Sequence, residues 1–448
     1  MEYKALATLL AGLEVLRSAL TRPGFDNLVV LFAGWVQTSG AHAVTQALVV
    51  TSVAGRRHHE AFHRFFSRGA WSPDEMGRLL FEAILGLSSE ECAVRVALDD
   101  TLAPKKGAHL FGIGSHLDAV RSTKRQKIFC FGHCWVVLAV LVPVPFSHRT
   151  WALPVLFRLY RTVKECERKQ QPHRKKTQLA RELLDLVVGW RRARRLEVAA
   201  DAAYCNDTVL RGLSPSVVLF GAMRPDAVLT APPPKRRAKG GRPRLRGKVL
   251  PKPEALAKDD RTPWQRCVAN LYGRRRRVEY KTCVAQWYRP CGIRLVRVVI
   301  VKVHDGAIGI RVFFCTDASL SPSAILEGYE QRWAIEVCFR DLKQLLGFAD
   351  SSARKEAAVQ RTAPFVGITY TTLVLWFARD IHQCSFAAPP LRPWYPHKRG
   401  MSFADVLRAA QRVLAPLDVL DPVSSLANLR KTRPPASWSP PTRLRRVA

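Results

Sequence analysis

The sequence is short of acidic residues and of closely paired cysteines. It has 36 Asp and Glu against 71 Lys and Arg, so its formal net charge is +35. Its 11 cysteines include no CxxC pair. Cys130 and Cys134 flank His133, but no second pair of ligands follows at zinc spacing. We therefore expect reduced cysteines in the core of a cytosolic protein rather than a metal site built on them.

A membrane-spanning stretch, a signal peptide and an internal repeat are also missing. The segment 128–146 is almost apolar, but it contains His133 and two prolines, and Arg149 follows closely. Two buried strands explain this segment better than a bilayer helix. The first residues include acids and lack the basic, apolar and small order of a signal peptide. We expect a cytoplasmic protein that does not bind a membrane.

The large positive charge is the strongest feature of the composition. A field of this size attracts polyanions, and nucleic acid is the commonest of them. A membrane-surface protein or a ribosome-associated protein is the alternative. The 448 residues are enough for two to four domains, and 48% of them are hydrophobic, as in ordinary globular proteins.

Residues 1–90 show helical patterns. Leucines recur at helical spacing over 6–16, and Pro23 is expected to end that helix. Ser72 begins a capping box, with proline at the first helical position, so a helix should start there. Between them lies the basic and aromatic segment 56–66, which either contacts DNA or packs its phenylalanines inward as an amphipathic helix. The two interpretations are compatible.

An α/β pattern follows this helical region. Residues 92–101 predict a strand that ends in acids, and 130–145 predict one or two buried strands. A helix is expected over 175–190, and a short apolar strand ends at Asp201. The order strand, strands, helix, strand is that of an α/β domain.

Residues 211–320 differ in character and predict a β-rich insertion. A loop rich in proline, glycine and basic residues spans 232–248 and contains Arg242 and Arg244. Strand patterns follow at 278–288, 293–303 and 307–315, and His304-Asp305-Gly306 predicts the turn between the last two. Four consecutive arginines precede these strands: Arg274, Arg275, Arg276 and Arg277. The tail after residue 430 is rich in proline and arginine and is expected to be disordered.

Three acids occupy positions that suit metal binding. Asp100 and Asp201 end predicted strands, and Glu336 lies within a predicted helix over 324–347. Carboxylates at strand ends are how α/β folds place metal ligands at one rim of a sheet. Two Mg²⁺ ions held by such groups can activate a water or a 3′-OH. For Asp100 and for Asp201, each taken alone, an aspartate that merely caps a turn is the alternative.

The predicted helix around Glu336 carries a polar face beside an apolar one. If 324–347 is one helix, Tyr329, Arg332, Glu336 and Lys343 fall within roughly 60° of one another. The apolar stripe beside them would pack inward; it comprises Ile335, Phe339, Leu342 and Leu346. Arg and Lys suit DNA phosphates. The alternative is a solvated face with i,i+4 pairs such as Arg332–Glu336.

This face resembles the Tyr-(2)-Arg-(3)-Glu-(6)-Lys signature of insertion-sequence DDE transposases. The segment Asp99-Asp100-Thr101 is similar to their first acidic motif, in which the Asp before Thr is catalytic. The segment 199–204 is similar to the second, with an apolar strand before Asp201 and a tyrosine three residues later. Further similarities follow in the expected order; they lie at Thr316-Asp317, 361–365, 393–395 and 402–405. Strand alternation favours Asp100 over Asp99 as the first ligand, and both stay open.

The resemblance implies an RNase H-like catalytic core of the α/β class, a mixed sheet flanked by helices with a β-rich insertion. It divides the chain into a helical N-terminal DNA-binding region (1–90), a core in two parts (91–210 and 321–395), the insertion (211–320), and a C-terminal helix with a basic tail (396–448). Catalytic and metal-binding roles are implied for Asp100, Asp201 and Glu336. Contacts with DNA are expected from Tyr329, Arg332, Lys343, Arg242, Arg244, Arg274, Arg275, Arg276 and Arg277.

The expected cofactor is Mg²⁺, as two ions, with Mn²⁺ as a substitute. The expected partner is double-stranded DNA, both the inverted-repeat ends of an element and a target, bound by a homodimer in the nucleoid of a bacterium. A nuclease of the same fold without strand transfer and a catalytically inactive DNA-binding repressor are the alternatives. No membrane contact is expected.

Overall fold

The computed structural model describes residues 2–87, 91–107, 109–123, 125–191, 194–234, 244–303, 309–390, 392–395 and 400–415. The chain divides into two compact units. The first unit consists of Met1–Glu90, Asp100–Arg174 and Glu336–Ala448. The second unit consists of Glu91–Asp99 and Lys175–Ile335.

The first unit begins with the helical region that the sequence predicts. Its helices are α1 (Glu2–Glu14), α2 (Arg22–Gln37), α3 (Val44–Val50), α4 (Glu60–Ser67) and α5 (Pro73–Leu85). The predicted cap of α5 is confirmed, because the Ser72 hydroxyl accepts a hydrogen bond from the backbone N–H of Glu75 at 3.4 Å. The phenylalanines of α4 are buried, as an amphipathic helix requires; they are Phe62, Phe65 and Phe66.

Pro23 has a different role from the one expected. It does not end α1, which stops at Glu14; it lies in the first turn of α2 instead. Proline is tolerated there because the first N–H groups of a helix have no partner within the helix. The Thr21 hydroxyl caps this helix by accepting from the backbone N–H of Gly24 at 3.2 Å.

The strands of the first unit are longer than the sequence suggests. They are β2 (Gly114–Leu117), β3 (Phe129–Pro143) and β4 (Thr150–Tyr160), and β1 (Val94–Pro104) contributes its second half. The strand β3 pairs antiparallel with β2 and with β4 and lies next to β1. The apolar segment 128–146 therefore forms one strand rather than two, and its partner β4 was not predicted.

Asp99 and Asp100 lie inside β1, not at its end. The strand continues for four residues beyond Asp100, and both Thr101 and Ala103 are buried in it. Backbone pairing with β3 keeps this part extended, as the hydrogen bond from Lys105 N to Phe131 O at 3.0 Å shows. Cys92 precedes the strand and is exposed, so the strand begins at Val94 rather than at residue 92 as expected.

The first unit contains further helices, among which α13 is mostly buried. These helices are α6 (Val163–Arg168), α12 (Trp333–Leu345, within this unit from Glu336), α13 (Glu356–Trp376) and α14 (Phe403–Leu414). Within the core, Trp35 donates from its indole to Leu346 O at 2.9 Å, and its ring meets Phe365 edge-on. Buried tryptophans need such a partner for the N–H group.

The second unit is built on parallel and antiparallel pairings of one sheet. Its strands are β5 (Leu196–Ala200), β6 (Val217–Met223), β7 (Gln265–Leu271), β8 (Arg274–Gln286), β9 (Leu295–Val303) and β10 (Gly309–Cys315), with the first half of β1. Its helices are α7 (Lys176–Trp190), α8 (Asp207–Leu210), α9 (Pro253–Lys258), α10 (Tyr288–Cys291) and α11 (Pro322–Glu330). The pairings run β1-β5-β6-β10-β9-β8-β7.

The insertion extends this sheet instead of forming a separate one. The strand β6 is parallel to β5, and β10 is antiparallel to β6, with Val312 opposite Met223. Pairing with β10 removes the open edge that β6 would otherwise present. The turn 304–306 lies outside the described residues, yet the pairing of Val303 with Gly309 confirms the predicted hairpin between β9 and β10.

The 11 cysteines all lie within the described residues, none of them forms a disulfide, and most are buried or half-buried. No helix in the described parts of the chain is long and apolar enough to cross a membrane.

Candidate active site

Asp201 lies directly after the last residue of β5, as the sequence predicts. The preceding strand is buried because its valine and alanines pack inside the sheet. The carboxylate is half-buried, and its Oδ2 accepts a hydrogen bond from the backbone N–H of Ala203 at 3.2 Å. This bond caps a short 3₁₀ turn over Ala202–Tyr204 and fixes the position of the carboxylate.

Arg332 and Tyr329 are grouped with two acids of the second unit. Arg332 Nη1 donates to Asp99 Oδ2 at 2.7 Å, and the two side chains are only 15% and 16% exposed. The Arg332 guanidinium also lies 5.8 Å from the centre of the Tyr329 ring. Burial raises the pKa of Tyr329, and the negative charge of Asp201 adds to this effect.

The signature segment is not one helix. The helix α11 ends at Glu330 and α12 begins at Trp333, so Arg332 lies in the turn between them. Its backbone N–H reaches Tyr329 O at 3.1 Å, a bond to the third rather than the fourth preceding residue. Tyr329 and Glu336 therefore lie on different helices, and the single polar face expected from 324–347 is wrong. The ion pair of Arg332 with Asp99 is a tertiary contact that overrides the helical pattern.

Asp100 contacts a cysteine of the first unit. Cys134 Sγ, buried in β3, donates to Asp100 Oδ2 at 3.3 Å. The carboxylate itself is half-buried. A thiol is a weak donor, so this contact orients the carboxylate without neutralising it.

Glu336 and Lys343 both lie on α12. The stripe expected to pack inward does so, since Ile335, Leu342 and Leu346 are fully buried. Glu336 is in the first turn of the helix and is half-buried. Burial lowers the pKa of Lys343, while neighbouring groups of the same unit oppose this shift; they are Asp118, Cys130 and Cys134.

The predicted site residues thus form one group in each unit. Asp201, Asp99, Tyr329 and Arg332 interact in the second unit. In the first unit, Asp100 contacts Cys134, and Cys134 is one of the groups close to Lys343. Among the residues that the structure describes, no three His, Cys, Asp or Glu side chains converge closely enough to hold a metal ion.

The arginine run is on the surface of the second unit. It lies within β8 rather than before it, which corrects the expected start of that strand at residue 278. The hairpin of β7 and β8 is held to α11 by two carboxylates: Glu327 accepts from Asn270 N at 2.7 Å and Glu330 from Tyr272 N at 2.9 Å. All four arginines of the run are exposed, as expected for DNA contacts; they are Arg274, Arg275, Arg276 and Arg277.

The basic loop of the insertion is described only in part. Arg244 is exposed, as a phosphate-binding residue requires. Arg242 lies outside the described residues. The expected DNA contacts of this loop therefore stay predictions.

Comparison with known families assigns the chain. The sequence profile described as DDE superfamily endonuclease matches residues 16–286, more than half of the chain. The chain belongs to the DDE superfamily endonucleases. A second profile, described as archaeal putative transposase ISC1217, matches residues 276–385. The predicted family is confirmed, and DDE superfamily endonucleases generally use divalent metal ions.

Other comparisons add little to this assignment. No curated protein matches the chain significantly. Among solved structures, a piggyBac transposase in a synaptic complex with hairpin DNA is similar over 92% of this chain and 75% of its own, at 10% identity. Its TM-score of 0.41 is too low to establish a shared fold. The mixed α/β class of this DDE endonuclease follows from its own sheet and flanking helices.

Sequence reasoning missed two residues of this DDE endonuclease that contact its predicted site. The sequence presents Asp99 only as a rival ligand, and its pairing with Arg332 joins residues 233 positions apart. The sequence presents Cys134 only as a core cysteine, and its bond to Asp100 depends on the pairing of β1 with β3. No local pattern signals either contact, although an acid directly before the first motif is a residue worth testing.

Proposed function

We propose that this DDE endonuclease is a DNA transposase that binds the terminal inverted repeats of its element, cleaves the ends and joins the freed 3′-OH to target DNA. Asp100, Asp201 and Glu336 hold two Mg²⁺ ions in this proposal, with Mn²⁺ as a substitute. Because two ends must be held together, we further propose a homodimer in the DNA complex.

The observation that carries this proposal is the register between β1 and β5. The two strands are parallel, and their last paired residues are Leu98 and Ala200. Asp201 directly follows the end of β5, where the register carried one residue further would set it opposite Asp99, and Asp100 is the next residue along β1. Ligand groups in α/β folds collect at the carboxyl ends of parallel strands. This register brings the first acidic motif next to Asp201 and supports a shared metal-binding role for Asp100 and Asp201.

Asp100 is favoured over Asp99 as the first ligand. Asp99 already has a guanidinium partner at 2.7 Å, and this pair is largely shielded from solvent. Releasing Asp99 to a metal would separate it from the Arg332 charge, at a cost of a few kcal/mol for a shielded pair. The hydrogen bond that Asp100 accepts from Cys134 comes from a weak thiol donor, which competes little with a cation.

The donor set fits magnesium. All three side chains are carboxylates, the oxygen ligands that Mg²⁺ prefers, and each is half-buried. Bound ions would activate the attacking water or 3′-OH and stabilise the leaving oxygen. The protein supplies the fixed positions, since Asp201 is held by Ala203 N and Asp100 by Cys134.

Phosphate positioning falls to cations in different environments. Arg332 is shielded from solvent and paired with Asp99. We therefore propose that it orients Tyr329 and the neighbouring acids, in addition to contacting DNA. Lys343 is half-buried on α12, where burial lowers its pKa and a bound phosphate would raise that pKa again. The exposed Arg274–Arg277 and Arg244 suit contacts with the DNA backbone.

A strand-transfer assay tests the proposal. The substrates are duplexes carrying the inverted repeats that flank the reading frame, a scrambled duplex as control, and a supercoiled target, with Mg²⁺. A transposase gives products joined to the target from the repeat duplex only. Cleavage without joining would establish the alternative nuclease, and sequence-specific binding without cleavage would establish the repressor.

A further inference from the structure

A cleft of about 620 Å³ opens in the second unit, where β5 and β6 begin. Its lining includes Arg195, just before β5, and Ser216, just before β6. Arg294 lines it from the start of β9, and Asp317 and Ser319 line it from the segment after β10. Asp201 lies at the opposite end of β5, so the cleft is separate from the proposed catalytic carboxylates.

Arg294 is fixed in this cleft by backbone groups. Its Nε donates to Thr316 O at 2.9 Å, and its Nη2 donates to Val217 O at 2.8 Å and to Pro215 O at 3.4 Å. Among the described residues, no carboxylate lies within ion-pair distance of this guanidinium, and its Nη1 donates to none of them. Burial lowers the pKa of Arg294, although an arginine stays charged at neutral pH. Within the described part of the chain, the cleft therefore contains an oriented cation that lacks a paired carboxylate.

The neighbouring charges leave an excess of positive charge. Arg195 pairs with Asp317 at 2.8 Å and with Glu197 at 3.6 Å, and Glu197 also pairs with Arg95 at 3.0 Å. Arg191 Nη2 donates to Ser216 Oγ at 2.7 Å. The charged residues that line the described cleft are two arginines, Arg195 and Arg294, and one carboxylate, Asp317, so positive charge exceeds negative charge by one. Arginine and hydroxyl groups together are the donors that bind phosphate oxygens.

We propose that this cleft binds a phosphate group, from the DNA backbone or from a free nucleotide. The DNA source rests on the proposed function, whereas the chemistry of the cleft does not. Arg195 and Asp201 are six residues apart along an extended strand, or roughly 20 Å. A DNA phosphate in the cleft would then lie about six base pairs from the one that is cut.

Ser216→Glu places a carboxylate beside Arg191 and Arg294 and should block the cleft. The matched control is Ser216→Gln, which has nearly the same size and no charge. For binding to duplex DNA, we expect the Glu variant to bind about tenfold more weakly at low salt. We also expect the slope of log affinity against log salt to fall by about one, as for one lost phosphate contact. The Gln variant should match the wild type in both respects.

Free phosphate is probed by thermal shift with inorganic phosphate and with a nucleoside triphosphate. Stabilisation that the Glu variant alone loses, with unchanged duplex binding, would assign the cleft to a free ligand. Equal behaviour of Ser216→Glu and Ser216→Gln in both the duplex-binding and the thermal-shift experiments would overturn the proposal. Melting curves in buffer check folding, and Ser319→Glu with Ser319→Gln repeats the test at an exposed lining residue if Ser216→Glu does not fold.

The two proposals fail in different ways. Absence of strand transfer by the wild type would refute the proposed function but would leave the difference between the Ser216 variants intact. Normal strand transfer by the wild type, with no difference between the Ser216 variants, would refute only the proposal that the cleft binds phosphate.

Discussion

The two ends of β5 carry opposite kinds of chemistry within one unit. At the end of the strand, Asp201 is half-buried and its charge acts on Tyr329, which contacts the shielded pair of Arg332 and Asp99. At the start of the strand, Arg195 and its neighbours line an open cleft in which, among the described side chains, cations outnumber acids.

This difference shows how a short strand can separate two tasks. At the carboxylate end, acids are the proposed metal ligands and the arginine is used to hold an acid in place. At the cleft end, the acids hold arginines, and Arg294 is held by carbonyl groups alone among its described hydrogen bonds. A change of charge at the carboxylate end should therefore affect catalysis, and a change of charge at the cleft end should affect phosphate binding.

The largest expected effect is at the carboxylate end. Asp201→Asn and Glu336→Gln keep the size of each side chain and remove the charge that a metal needs. We expect cleavage and strand transfer to fall by at least about a hundredfold, with duplex binding unchanged, because metal ions supply most of the charge stabilisation in phosphoryl transfer. The measurement is a gel shift and a transfer assay on each variant.

Two controls make this result interpretable. The double variant should be hardly worse than either single one, since ligands of one site act together. Near-normal transfer by Glu336→Gln would remove α12 from the catalytic assignment. If Glu336 only paired with a cation at the surface, its loss would change stability by under about 1 kcal/mol and leave activity intact.

The second prediction separates the two adjacent aspartates of β1. Asp100→Asn should abolish transfer as the other ligand variants do. Asp99→Asn keeps an acceptor for Arg332 but loses the ion pair at 2.7 Å, so we expect a loss of about 1–2 kcal/mol in stability and less than about tenfold in transfer. Thermal melting and the transfer rate are measured together. The reverse ranking would make Asp99 the metal ligand and Asp100 the structural residue.

Much of the carboxylate end was predictable from the sequence because its patterns are local. The apolar strand before Asp201 and the buried stripe of Ile335, Leu342 and Leu346 follow from periodicity alone. The break at Arg332 was not predictable, since it accompanies an ion pair with Asp99 that is distant in sequence. The strand β1 likewise extends past its acids because it pairs with β3, which sequence periodicity does not record.

The cleft was beyond prediction for the same reason. Its residues come from four separate segments, at 195, 215–218, 294–295 and 316–319, and each segment alone is an ordinary strand end. Only the sheet pairings of β5, β6, β9 and β10 bring them together. The exposed arginines of β8 were found easily, because four consecutive cations cannot all be buried.

The third prediction concerns these exposed arginines, which belong to neither end of β5. Replacing Arg274, Arg275, Arg276 and Arg277 by alanine should weaken binding to every duplex and lower the salt slope by up to about four, one for each lost contact. Melting temperature should barely change, since the four side chains are exposed. A large loss of stability with an unchanged salt slope would show that they support the β7–β8 hairpin instead.

The smallest expected effect is at the cleft end. Asp317 pairs with Arg195 and accepts two hydrogen bonds from Ser319, and these contacts lower its pKa although burial opposes them. Asp317→Asn removes a negative charge from the cleft, so we expect duplex affinity to rise about two- to fivefold and the salt slope to steepen. This is the opposite of the Ser216→Glu result, and affinity that falls would mean that Asp317 positions Arg195 rather than competes with phosphate.

The dependence of the melting temperature on pH below neutrality tests the role of the Asp317 carboxylate in the absence of DNA. A lowered pKa in the folded protein means that Asp317 stabilises the fold at pH values above the ordinary aspartate pKa of about 4. As pH falls, Asp317 of the unfolded chain binds a proton first, and that of the folded protein binds one at a lower pH. The stabilising contribution is lost over this range and is gone below the folded-state pKa. The melting temperatures of wild type and Asp317→Asn should therefore differ at pH 7, and this difference should shrink as the pH falls below the ordinary aspartate pKa of about 4 and through the lower folded-state pKa. A constant difference across this range would assign the effect to lost hydrogen bonds instead of the charge, and the contrast between the two ends of β5 would then rest on the arginines alone.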